Sequence, residues 1–229
     1  MIRLLLALFA LSLPLAADAR DRTVMLTGFD RVRVEGPFDV TLTTGKGAGG
    51  VLSGDARAID GVNLRVEGRT LIVSAGANAW GGYPGAAKGQ VKVRVTTPML
   101  RAASVAGGGQ LRIDRMRAQS IDLSVAGAGA LSVTAIEADQ TNATMNGTGA
   151  MTLGGTTGRA RFMNSGTGSI DAGQLVARDL TIVSQGMGSG AFNARYTADI
   201  SAMGLGSISV AGTPKCTVRG PGPVACANR

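Results

Sequence analysis

The chain of 229 residues contains no histidine. That removes the commonest general base and the commonest transition-metal ligand. A Ser-His-Asp or Cys-His catalytic arrangement is therefore excluded. Aromatic residues make up only 3% of the chain, too few for a platform that stacks nucleic-acid bases. There are two cysteines, Cys216 and Cys226, and a zinc site would need two more ligands from a chain without histidine, so a metal reading is weak. No apolar run after residue 16 is long enough to cross a bilayer. Acidic side chains are also scarce, 15 against 23 basic, which leaves a formal net charge of +8. Such a surface favours acidic glycans, lipid headgroups or other polyanions, or simply keeps the protein soluble. Nothing in the sequence calls for a cofactor.

Glycine, by contrast, is abundant: 35 residues. That load would destabilise helices throughout. The chain is nonetheless 45% hydrophobic, with a mean hydropathy of +0.20, so it has the means to build a core. An all-β protein with many tight turns satisfies both observations.

The N-terminus has a different character. Met1-Ile2-Arg3 is a short basic start, LLLALFALSLPLA (4–16) is apolar, and Ala17-Asp18-Ala19 places small residues where a signal peptidase reads. Residues 1–19 are expected to be a signal peptide, followed by an exported chain without a lipoprotein cysteine. The periplasm or the cell surface is the expected location.

A repeat governs the second half. SVAGGGQLRI (104–113), SVAGAGALSV (124–133) and TMNGTGAMTL (144–153) are variants of one phrase. G-x-G triplets begin at Gly107, Gly127, Gly147, Gly166, Gly186, Gly204 and Gly220, with spacings of 20, 20, 19, 20, 18 and 16. A period near twenty is the mark of a solenoid. Apolar residues recur two and four positions after most of the triplets, as in Leu111/Ile113, Leu131/Val133 and Met151/Leu153. They also recur four positions before it, as in Leu123, Phe162, Ile182 and Ile200. This spacing of two is that of strands with one buried face. Each repeat reads as strand, G-x-G corner, strand and polar return, the returns being RMRAQ, TAIEADQ, GGTTGRA and GQLVARD. Stacked one repeat per turn, they predict a right-handed parallel β-helix over 101–229, a rod on the order of 30 Å long. Glycine is expected at the corners because each corner is packed between its copies above and below. In the same register Cys216 and Cys226 both point inward in the last turn. With export to an oxidising compartment they are expected to form a disulfide that caps the C-terminal end.

Residues 20–100 lack the triplets but still alternate, as VRVEG, FDVTLTTG, LRVEG, TLIVSAG and QVKVRVTTP. They predict an N-terminal β region. Its long Gly-rich link, AGANAWGGYPGAAKG (75–89), carries Trp80 and Tyr83, candidates for a binding lip. In GFDRVRVEGPFDVTLTTG, GRTLIVSAG and VKVRVTTPMLRAASVAGGGQLRI, taken in that order, the chain resembles a bacterial family of unknown function. Its description is "putative auto-transporter adhesin, head GIN domain". The resemblance implies an exported β-helical protein of the cell envelope and supplies no catalytic or binding residues.

Other readings of the motifs fare worse. The triplets are not followed by helices, so they do not form phosphate-binding loops. Their middle residues carry no carboxylate, so they do not form a calcium-binding β-roll. Asp122 and Asp171 are expected to face outward on different walls rather than converge as a glycan-cleaving pair. Arg112, Arg115 and Arg117 sit close on one return and Arg159 and Arg161 on another. If those returns share an edge, the five arginines make a basic strip for an acidic polymer. The chain thus reads as a non-enzymatic envelope binding or structural module, with adhesion to acidic glycans or surface polymers as one version and an envelope protein as another possible partner. The alternative is a polysaccharide-acting hydrolase or lyase on the same scaffold. Nucleic acid is not an expected partner.

Overall fold

The computed structural model describes residues 20–76 and 91–227. The expected signal peptide, residues 1–19, lies outside them, as do Trp80 and Tyr83. The described chain is almost entirely strand. The N-terminal elements are β1 (Arg20–Val24), β2 (Arg31–Glu35), β3 (Asp39–Thr44), β4 (Gly49–Gly54), the short helix α1 (Ala56–Asp60), β5 (Val62–Glu67), β6 (Thr70–Ala75), β7 (Lys92–Thr97) and β8 (Ala102–Ala106). The repeats follow as long bent strands: β9 (Gln110–Gly127), β10 (Ala130–Gly147), β11 (Ala150–Asn164), β12 (Ser169–Ser184) and β13 (Gly190–Ala202). Three short strands close the chain: β14 (Ile208–Gly212), β15 (Lys215–Arg219) and β16 (Val224–Cys226).

The repeats form the expected parallel solenoid. Each turn pairs with the next in register, so Leu111 lies beside Leu131, Leu131 beside Met151, and Met151 beside Ile170. The wall after the corner, called the second wall here, runs through these residues. The wall before it, the first wall, carries Ala103, Leu123, Ala143, Phe162, Ile182 and Ile200 side by side. All of these residues are buried in one continuous core. The two columns predicted from the spacing are therefore its two principal faces. Asp122 and Asp171 face outward on the first and second walls, as expected.

The returns differ from their polar reading. Residues 115–118, 135–138, 155–157 and 175–177 pair across turns and form a third wall. Burial alternates along Leu111 and Ile113, then slips by one residue to Met116, and slips again before Ile121. Each slip is a bend where the chain passes from one wall to the next. Met116, Ile136 and Leu175 point inward from this wall and are fully buried. Gly155 holds the same inward position in the turn between Ile136 and Leu175, so the column is too irregular to register as a strand, yet it is enough to close a three-sided core.

The N-terminal strands share this sheet. Val32 and Val34 of β2 stack on Ala103 and Val105, and Val40 and Leu42 of β3 stack on Leu111 and Ile113. On their other side β2 pairs with β6 and β3 with β7, also parallel. β5 and β4 then add antiparallel to β6 and β7, and β1 pairs antiparallel with β4. The β1 edge carries Arg20, Asp21 and Arg22, all exposed, which discourages edge-to-edge pairing. At the other end β15 and β16 extend the first and second walls. The Cys216–Cys226 disulfide ties them together, with the Cα atoms 6.7 Å apart.

Two glycines show why the corners repeat. Gly147 has φ +123°, a left-handed value, and a Cβ there would meet the Gly127 backbone of the turn before. Gly204 has no such φ, but a Cβ there would collide with the Gly186 carbonyl oxygen. Gly108, the middle residue of the first triplet, has nothing within 4 Å. Gly204→Ala is therefore expected to cost about 1–3 kcal/mol or more through overpacking, while Gly108→Ala leaves thermal stability nearly unchanged; paired melting curves check both. Removing the disulfide as Cys216→Ala/Cys226→Ala, which opens a loop with a sequence separation of 10, is expected to cost about 2–3 kcal/mol. Hydrogen exchange should then rise first in β15 and β16.

Candidate binding face

The outer surface of the first wall is built from two columns. Strict register places Arg31, Ala102, Asp122, Asn142 and Arg161 in one ladder and Arg33, Ser104, Ser124 and Thr144 in the other. Successive members lie about 4.8 Å apart. Side-chain size then shapes the surface. Ala102, Ser104 and Ser124 are short, while Arg31 and Arg33 stand on one side of them and Asn142 and Thr144 on the other. The result is a shallow depression of about 280 Å³, whose lining mixes alanine and valine side chains with hydroxyl, amide and charged groups.

Its polar groups are partly committed. Asn142 Nδ2 donates to Asp122 Oδ1 at 2.9 Å, and Gln140 Nε2 donates to Asn142 Oδ1 at 3.3 Å. Ser104 Oγ donates to the Val32 carbonyl at 3.4 Å. Arg33 lies 3.7 Å from Glu35. Among the described residues Arg31 has no ionic partner. Such a cation, beside a hollow with hydroxyl and amide side chains on its wall, can receive an anionic or hydroxyl-rich ligand.

A buried carboxylate fixes this rim. Asp30 precedes Arg31, so the alternation of β2 turns it inward, and it is only 2% exposed. Its Oδ2 lies 2.7 Å from Arg69 Nη2 and 2.8 Å from Arg101 Nε. The Asp30 and Arg31 amides both donate to the Arg69 carbonyl, and the Arg101 and Ala102 amides both donate to the Asp30 carbonyl. Three strands, β6, β2 and β8, are thus tied together where they begin. The residues that follow Arg69, Asp30 and Arg101 are Thr70, Arg31 and Ala102, which line the depression.

The arginines singled out from sequence do not form one strip. Arg112 stands on the second wall, beside Thr41 and Ser132, paired with Asp39 and donating to Gln110 Oε1 at 2.6 Å. Arg115 and Arg117 stand on the third wall, with Arg117 3.5 Å from Glu137. Arg159 sits beside Gln140 and Asp179 where the third wall meets the first. Arg161 alone is on the first wall, one turn beyond Asn142. Sequence reasoning missed Arg31, Arg33, Ser104, Ser124, Asn142 and Thr144. The alternation in VRVE and SVAG marks Arg31, Arg33, Ser104 and Ser124 as outward, but nothing local says that residue 31 stacks on residue 102.

A family model covers residues 28–214, from the strands before the first triplet to the last turns of the stack. The chain belongs to the family described as putative auto-transporter adhesin, head GIN domain. The head GIN fold recurs in solved structures. A putative adhesin from Bacteroides fragilis is similar over 93% of this chain and 98% of its own, with a TM-score of 0.82 and 23% identity. A putative adhesin from Parabacteroides distasonis covers 92% of this chain and 98% of its own, at TM-score 0.70 and 18% identity. A protein of the same species described as a putative lipid binding protein covers 91% and 96%, at 0.69 and 18%. At such identities the likeness is one of fold. No curated protein matches the chain.

Asp30→Ala is expected to lower stability by roughly 0.5–3 kcal/mol through loss of its ion pairs with Arg69 and Arg101. Protection of the β6, β2 and β8 amides should fall with it. A melting curve alongside hydrogen exchange would show whether the loss centres on these three strands.

Proposed function

We propose that this head GIN domain protein is an exported, non-enzymatic binding module of the cell envelope, and that the first-wall depression holds a segment of an acidic polymer such as a glycan. The observation that carries this reading is Arg31, a cation without an ionic partner among the described residues, at the edge of a hollow whose wall includes Ser104, Ser124, Asn142 and Thr144. The +8 charge of the whole chain favours the same class of ligand. The adhesin names carried by the solved relatives are consistent with a surface-binding role. The composition of the depression favours binding over cleavage. Asp122 is its one lining carboxylate, and Asn142 holds it. Glycan hydrolysis ordinarily needs two carboxylates flanking the bond.

The arginines provide the test. Arg31→Ser/Arg33→Ser is expected to lower the salt needed to elute the protein from an immobilised acidic polysaccharide. Arg112→Ser/Arg115→Ser/Arg117→Ser removes one more charge, but from other walls, and should change elution less. If the triple variant loses retention while the double keeps it, the binding face is on the second or third wall.

A further inference from the structure

The tips of the G-x-G corners change character along the stack. They are Gly108, Ala128, Thr148 and Thr167 in the earlier turns, then Met187, Leu205 and Pro221 in the last three. Leu205 is 80% exposed and Met187 64%. Met203, just before the Leu205 corner, is 60% exposed, and its sulfur lies 3.3 Å from where a Cβ at Gly220 would stand. The corners are held in register by backbone bonds from Gly188 to Gly166, Met203 to Ser184 and Gly222 to Ala202. Met187, Met203, Leu205 and Pro221 therefore form one apolar file at the C-terminal end. The glycines beside each tip leave no room for flanking side chains, so the file is a convex ridge rather than a groove.

Two features select its occupant. A single file of side chains offers far less than the roughly 800 Å² per partner that a stable protein interface covers. Its ionic surroundings are one-sided. Segments 184–190, 202–208 and 219–225 hold no acidic residue, and their only charge is Arg219. Lys215 lies four residues before Arg219 on the same strand, and both are exposed. The acidic groups on the neighbouring part of the first wall are Asp199, between Thr181 and Thr217, and Asp179, two turns from Lys215 on the ladder through Thr197 and held by the Thr197 hydroxyl. Flexible apolar tips with a basic flank suit the boundary between headgroups and acyl chains of an anionic membrane surface.

We propose that the Met187–Met203–Leu205–Pro221 ridge docks the protein on an anionic lipid surface, with Arg219 and Lys215 meeting the headgroups. The ridge lies four turns from the centre of the first-wall depression, roughly 20 Å along the stack. This site is independent of the polymer-binding reading.

Vesicle flotation of the chain from residue 20 onward, which spans the whole described fold, tests it. Vesicles of neutral phosphatidylcholine are compared with vesicles that also contain phosphatidylglycerol. Binding is expected only to the anionic vesicles and is expected to weaken with salt. Met187→Asp/Leu205→Asp should lower the partition coefficient about tenfold or more, and Arg219→Gln about fivefold. Ala128→Asp, a charge on an earlier corner tip, should leave binding unchanged, as should Arg31→Ser/Arg33→Ser. Unchanged melting temperatures show that the variants fold. The proposal is overturned if the parent protein ignores anionic vesicles, or if Met187→Asp/Leu205→Asp binds them as well as the parent does. It is overturned equally if that variant instead converts a dimer to a monomer in light scattering, which would make a second copy of the chain the occupant.

Discussion

Every other feature of this protein depends on the backbone of one turn lying directly on the backbone of the next. Parallel ladders fix the spacing at about 4.8 Å, and the corners must honour it as strictly as the walls do. At Gly204 and Gly147 the space where a side chain would begin is already filled by the preceding turn. The corner therefore accepts glycine on either side of its tip and leaves only the tip free to vary. That one constraint accounts for the repeated phrase, for the in-register columns on the walls and for the exposure of the corner tips.

The same constraint turns chemistry into position. Once the ladders are in register, a residue's place in the repeat determines its wall and its height. The depression on the first wall needs no loop to shape it: two short rungs between taller ones suffice. Asp30 adds the one element that repetition cannot supply. Buried and joined to Arg69 and Arg101, it ties strands from distant parts of the sequence at the rim of the hollow.

The solenoid was legible because its signal is periodic. Leu111, Leu131 and Met151 recur at a spacing of twenty, and the buried columns and the terminal disulfide follow from that register. The third wall was hidden because its inward column, Met116, Ile136, Gly155 and Leu175, is interrupted by a glycine and set among polar residues without a strand's alternation. The binding face was hidden for a different reason. Arg31 and Ala102 are neighbours only because β2 is laid against β8, and no local pattern encodes that pairing. The arginines that stood out by proximity in sequence were separated by the bends, since Arg112 and Arg115 fall on either side of one. Where a contact depends on the period, sequence suffices; where it depends on a single long-range placement, it does not.

The position of β2 and β3 also has a consequence for assembly. They come early in the chain, yet they lie in the interior of the stack, with β6 and β7 on one side and β8 and β9 on the other. During synthesis they have no parallel partner until residues 70–113 have been made. Closing loops of that length carries an entropic cost before any contact repays it, which slows the first step. Later turns need only add to an edge already formed. Synthesis in this order favours growth of the rod toward the cysteines, and the covalent bond between them lies in the turn added last.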